Sequence, residues 1–191
     1  MKALGLCGSA RRDGNTGALI QAALEGAAGQ GLDTEMLFFN ELSLKNCEGC
    51  LKCQDGTSDG CALIDRVRGA DLVVIGSPVY TGQVTAQVKN FLDRLYAVSS
   101  SSKPIQAPGK QGITVTTLGS GNRRDAEETR KMLNVLFWYM RCSDVVDIVG
   151  AGLFWLGDIK RHFYAGGDAF YLKTVLQAFQ DQGGHTTWID I

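Results

Sequence analysis

The chain has 191 residues, 45% hydrophobic and 20% charged, with a formal net charge of −1. That size and balance suit one globular domain with a sizeable core. A near-neutral chain with scattered Lys and Arg gives no electrostatic case for nucleic acid or an anionic membrane surface. No apolar run nears the roughly 18–20 residues that span a bilayer. Met1 to Cys7 passes into a polar Gly-rich loop rather than a cleavage site, so a cytoplasmic protein is expected.

Short apolar runs alternate with helical patterns along the chain. Lys2 to Cys7 reads as a strand ending at Gly8-Ser9. Asn15 to about Gly29 places Ile20, Leu24 and Ala27 on one helical face. Thr34 to Phe39 is a second strand, and residues 40–63 form an irregular cysteine-rich segment. Asp71-Leu-Val-Val-Ile-Gly76 is a continuous run rich in β-branched residues, as in a strand buried on both faces. Val84 to Val98 aligns Val84, Val88, Phe91, Leu92 and Leu95 on one helical stripe. After a Ser/Pro loop at 99–108, Ile113 to Leu118 is a fourth strand. Asp125 to Met140 is a helix whose end is apolar nearly all round. Val145 to Val149 is a fifth strand, and Asp168 to Gln180 another helix. No internal repeat or second domain is visible across 1–191.

This alternation argues a parallel sheet covered by helices on both faces. The fold class expected is α/β, a flavodoxin-like three-layer sandwich with a five-stranded parallel sheet in order 2-1-3-4-5. Ligands in such sheets bind beyond the carboxyl ends of the strands, here residues 8–16, 40–61, 77–82 and 119–124.

The first of these loops is Gly8-Ser-Ala-Arg-Arg-Asp-Gly-Asn-Thr16. Its glycines let backbone N–H groups converge, and a helix N-terminus follows. Ser9, Asn15 and Thr16 add side-chain donors and Arg11 a full charge, a set that fits a phosphate. The plainer alternative is a helix start capped by Asn15 or Thr16.

The loop resembles the Gly-Ser-x-Arg-x-x-Gly-Asn-Thr signature of the NADPH-dependent FMN reductase family, where it holds the FMN phosphate. Ser77-Pro-Val-Tyr-Thr-Gly82, with the helix from Val84 to Arg94, resembles that family's isoalloxazine loop. Thr117-Leu-Gly-Ser-Gly121 resembles its last flavin-side loop. The resemblance implies FMN held by Ser9, Arg11, Asn15, Thr16, Pro78, Val79, Tyr80, Thr81, Gly82, Gly119, Ser120 and Gly121. Gly119, Ser120 and Gly121 leave room for a planar ligand. Thr81 departs from relatives that carry a bulkier residue there.

Four of the six cysteines fall within 15 positions: Cys47, Cys50, Cys53 and Cys61. Gly49 permits a sharp bend between the first two. Cytoplasmic disulfides are scarce, so metal ligands or redox thiols are the better reading. Zinc ordinarily takes two separated Cys-x2-Cys pairs. The spacing resembles the iron–sulfur flavoprotein branch of the same family, which implies that all four thiolates hold one [4Fe–4S] cluster. Cluster-free thiols or a disulfide, as in other relatives, stay open beside it.

Cys7 and Cys142 read as buried free thiols, and His162 and His185 as isolated. Asp93 and Arg94 are expected to form a solvated or interface pair. Trp138, Tyr139 and Trp155 read as core or subunit packing. The expected function is redox transfer between FMN and the cluster to a ferredoxin-like carrier, quinone, O2 or peroxide. The alternative is a cluster-free NAD(P)H-dependent FMN or quinone reductase, and a homodimer or homotetramer is expected in either case.

Overall fold

The structure, a computed structural model, describes residues 1–52, 62–99, 110–142, 144–159 and 187–190. The elements in chain order are β1 (Lys2–Cys7), α1 (Asn15–Gly29), β2 (Asp33–Phe38), α2 (Ala62–Gly69) and β3 (Leu72–Pro78). They continue with α3 (Ala86–Asp93), α4 (Tyr96–Ser99), β4 (Gln111–Thr117), α5 (Glu127–Met140), β5 (Asp144–Gly150) and β6 (Thr187–Asp190). Short 3-10 turns lie at Phe39–Glu41 and Arg123–Ala126.

The strands pair in parallel in the order β2-β1-β3-β4-β5-β6. The expected order of the first five holds, and β6 adds a strand beside β5. Side-chain alternation builds two cores. Ala3, Cys7, Leu72, Val74, Ile113 and Ile148 pack with Leu19, Ile20 and Leu24 of α1. Leu4, Leu6, Val73 and Ile75 pack on the other face with Ile64 and Val67 of α2, Phe91 of α3 and Phe137 of α5. Strands buried on both sides are the reason their sequences run apolar without interruption.

Three local features differ from expectation. The cysteine segment ends in α2, whose apolar Leu63, Ile64 and Val67 recur at helical spacing and are buried. Lys110, buried just before β4, donates to the carbonyls of Val67, Arg68 and Ala70 and so closes the carbonyl end of α2 with a positive charge. The helix expected over 84–98 starts later, because Thr85 is extended (ψ 155°): its N–H donates to Ser77 Oγ and its hydroxyl to the Gly8 carbonyl. The same helix breaks after Arg94, where i→i+3 bonds from Arg94 and Leu95 close α3 before α4 begins.

Under α5 the sheet is polar. Asp147 of β5 is fully buried and accepts from Thr114 Oγ1, Asn134 Nδ2 at 2.9 Å and Arg130 Nη1 at 2.7 Å. Arg130 also forks onto Glu127, which pulls the Glu127 carboxyl below its ordinary value. Leu133, Leu136, Phe137 and Met140 face the core, while Trp138 stands 73% exposed with Tyr139 edge-on to it. Among the described residues, no helix is long and apolar enough to cross a membrane. The helix expected over 168–180, His162, His185, Cys53 and Cys61 lie outside the described residues.

Candidate functional site

The carboxyl ends of β1, β3, β4 and β5 open onto one cleft of about 190 Å3. Of the residues named from sequence, Ser9, Arg11, Asn15, Thr16, Pro78, Val79, Tyr80 and Gly119 line it. Thr81, Gly82, Ser120 and Gly121 stand off its lining.

At the β1 end, α1 starts from an extended Gly14 with no side-chain cap and no acid in its first turn. Neither Asn15 nor Thr16 caps the helix. Its first-turn N–H groups and positive dipole end therefore remain available to an anion. Arg11 lies exposed on the cleft and forms no ion pair among the described residues, whereas Arg12 is held by Glu41 at 2.6 Å. Ser9 Oγ accepts from the Arg11 N–H and fixes the turn. First-turn amides and a guanidinium that forms no ion pair among the described residues make a donor set that suits a phosphate monoester.

Asn15 and Thr16 act on the frame of the cleft. Asn15 Nδ2 donates to the carbonyls of Leu153 and Trp155, and its Oδ1 accepts from the Ile159 N–H. One side chain thus fastens the loop after β5 to the start of α1. Thr16 and Thr117 share a buried hydroxyl–hydroxyl bond of 2.6 Å across the cleft floor.

At the β3 end, Tyr80 and Gln83 exchange backbone bonds around Thr81 and Gly82. Both turn residues have positive φ, 52° and 76°, as in the mirror-image hairpin turns. A β-branched Thr at positive φ is strained. The turn presents Tyr80, half exposed, beside Pro78 and Val79 on the cleft wall.

The wall contributed by Leu153, Phe154, Trp155 and Leu156 was not expected from sequence, where Trp155 was read as packing. Phe154 and Trp155 are 73% and 68% exposed and meet edge to face. A Cβ added at Gly119 would lie 3.0 Å from the Phe154 ring. Phe154 thus packs close over Gly119 on the cleft wall. Ser120 instead ties its own loop, donating to Asp125 and accepting from the Asn122 N–H.

In the cysteine segment Cys47 and Cys50 are free and exposed. Gly49 (φ 63°) and Leu51 (φ 59°) bend the chain between and after them. Two accessible thiols on a left-handed bend suit thiolate ligation of an iron–sulfur cluster. Among the described residues no group of three metal-ligating side chains forms.

Cys7 and Cys142 differ in kind. Burial pushes both thiols from 9.0 up to about 11. At pH 8 their thiolate fraction falls about 100-fold below that of an ordinary thiol. Alkylation of the native protein at that pH is expected to reach Cys47 and Cys50 and spare Cys7 and Cys142, which peptide mass mapping reads directly. The sign for stability follows: a raised thiol pKa stabilises the fold below 9.0, and that contribution is lost as pH rises toward 11.

The family model described as NADPH-dependent FMN reductase matches residues 1–151. An iron-sulfur flavoprotein of Methanocaldococcus jannaschii is 38% identical over 101 residues, 49% of this chain and 51% of that protein. One from Methanosarcina thermophila is 33% identical over 129 residues, 64% of this chain and 65% of that protein. The matched part thus spans about half to two-thirds of these curated relatives. Among solved structures, an azoreductase from Bacillus anthracis superposes with a TM-score of 0.69 at 16% identity, covering 94% of this chain and 98% of that one. That likeness shows the flavodoxin-like fold. With most of the chain matched, and with the cleft formed by the loops that carry the family's motifs, the chain belongs to the NADPH-dependent FMN reductase family.

Proposed function

We propose that this protein is an FMN-dependent oxidoreductase whose flavin sits in the cleft between the β1, β3 and β4 loops and exchanges electrons with a [4Fe–4S] cluster on Cys47, Cys50, Cys53 and Cys61. The observation that carries the flavin half is the uncapped start of α1 and the exposed Arg11, both on a cleft walled by Pro78, Val79 and Tyr80. The first-turn amides, Ser9 and Arg11 hold the phosphate. Thr16 and Asn15 keep the floor and far wall in place, and Tyr80 and the Thr81-Gly82 turn border the ring. FMN, when bound, interconverts two-electron and one-electron chemistry. The four-cysteine spacing and the names of the archaeal relatives support the cluster half. The acceptor is then a ferredoxin-like carrier or a small molecule such as a quinone, O2 or peroxide. The reading takes 1–191 as one domain that assembles as a cytoplasmic homodimer or homotetramer.

A second reading, a cluster-free NAD(P)H-dependent FMN or quinone reductase, draws support from a Cupriavidus pinatubonensis relative named FMN-dependent NADH:quinone oxidoreductase, 27% identical over 92 residues. Iron and flavin assays on oxygen-free protein separate the two: about four irons per chain support the first, iron-free active protein the second. Binding of FMN is tested by Arg11→Ala. A guanidinium–phosphate bond of about 1.5–3 kcal/mol corresponds to roughly tenfold to hundredfold in affinity. The variant is expected to lose that factor for FMN and to keep its affinity for riboflavin, which lacks the phosphate. Equal losses for both flavins would place the phosphate elsewhere.

A further inference from the structure

Asp93 and Arg94 do not form the expected pair. Asp93 bonds Lys89 one turn back, and Arg94 turns to the cysteine segment. Its Nε and Nη2 both donate to the carbonyl of Lys45, the Nε bond being 3.0 Å. One turn earlier, Asn90 Nδ2 donates to the carbonyl of Leu44 at 2.9 Å. Leu42 and Leu44 pack against the core, while Ser43 between them and every residue from Lys45 to Lys52 are exposed. Lys45 is therefore the last fastened point before Cys47, two residues and about 7 Å of extended chain away.

The other end of α3 is fastened to the cleft. Thr85, its N-cap, donates through its hydroxyl to Gly8 of the β1 loop and through its N–H to Ser77 before the Tyr80 turn. Eight residues of helix, about 12 Å, thus join the flavin-side loops to the entry of the cysteine segment.

We propose that α3 is the bracket that sets the cysteine arm relative to the flavin-side loops, with Asn90 and Arg94 as its positioning residues. The proposal rests on the cluster reading above for its purpose and on these bonds for its existence. The three bonds neutralise two carbonyls that would otherwise face solvent, and they hold the arm where a thiolate at Cys47 is delivered without a search through loop conformations. Arg94 is suited to this because its fork places two donors on one acceptor, which a lysine ammonium does not reproduce.

The test uses the full FMN-loaded chain in its metal-free form and trypsin, since the Lys45 carbonyl belongs to a tryptic bond. Cleavage after Lys45 requires the clamp to open, and Lys52 serves as the comparator in the same segment. The double variant Asn90→Ala/Arg94→Ala is expected to be cut after Lys45 about tenfold faster, with the Lys52 rate, FMN content and urea midpoint near those of the parent. Arg94→Lys is expected to recover only part of the protection. After reconstitution with iron and sulfide, the double variant is expected to hold less iron per chain and to show a broadened EPR signal on reduction. Unchanged cleavage after Lys45 overturns the bracket. Faster cleavage with parental iron content and EPR signal overturns the positioning role. A parent chain that takes up no iron overturns the cluster reading, while the cleavage rates still decide whether α3 holds the arm.

Discussion

Replacing Asp147 with alanine is expected to cost about 3–5 kcal/mol of folding stability. The carboxylate is wholly buried and satisfies Thr114, Arg130 and Asn134 at once. Its loss takes one carboxylate from the mostly buried Arg130 guanidinium, which still pairs with Glu127, and strands the Thr114 hydroxyl, while Asn134 Nδ2 keeps its bond to the Arg130 carbonyl. Asp147→Asn keeps the shape but gives up the charge, and is expected to fall between alanine and the parent. Arg130→Met is expected to be as damaging as the alanine change, because it buries an uncompensated carboxylate. The informative variant is Asp147→Leu/Arg130→Met, in which neither charge is buried and much of the loss is expected to return. Urea unfolding with a common slope reads all four. A double variant no better than either single would mean that the polar bonds, and not the pairing of charges, hold α5 to the sheet. Asp147 does not line the cleft, so the flavin content of whatever folds is expected to stay at the parental level.

Gly8→Ala is expected to strike both the fold and the cleft. A Cβ there would lie 2.3 Å from Val88 Cγ2 and 2.8 Å from the carbonyl oxygen of Gly76. Val88 is fully buried on α3, and the Gly76 oxygen already accepts the Gly8 N–H at 2.7 Å. Neither neighbour has room to retreat, so strain of about 1–3 kcal/mol follows. The chain relieves it by moving the β1 loop away from β3, and the start of α1 moves with it. FMN affinity is then expected to drop by about tenfold or more, measured by quenching of flavin fluorescence. Gly121→Ala is the control, since a Cβ there meets nothing within 4 Å. It is expected to leave stability and flavin affinity near the parent's. Parental flavin affinity in a folded Gly8→Ala protein would disconnect this loop from the flavin.

Sequence made the sheet legible because its strands are buried on both faces: the β-branched run of β3 and the short run of β1 need no partner to be read. The β1 and β3 loops were legible for a related reason. Their glycines, proline and hydroxyls answer local demands of the backbone, and local demands leave motifs. The loop after β5 left none. It is attached through its main-chain carbonyls and one N–H to Asn15, some 140 positions earlier, and a carbonyl acceptor is the same in every residue type. Arg94 was misread for the same cause, since its partner is the backbone of Lys45 and not the adjacent acid. Gly119 is a subtler case. A missing side chain signals close approach, but only the fold reveals that the approaching group is the protein's own Phe154. α2 was hidden because its short apolar repeat begins inside the cysteine segment.

β2 forms one border of the sheet, with exposed residues at its start, Asp33 and Glu35 among them. Glu35 pairs with Arg66 of α2 at 3.0 Å. Carboxylates at alternate positions of an outer strand discourage a foreign strand from joining it. A concentrated solution of this protein is thereby guarded against fibre growth along β2.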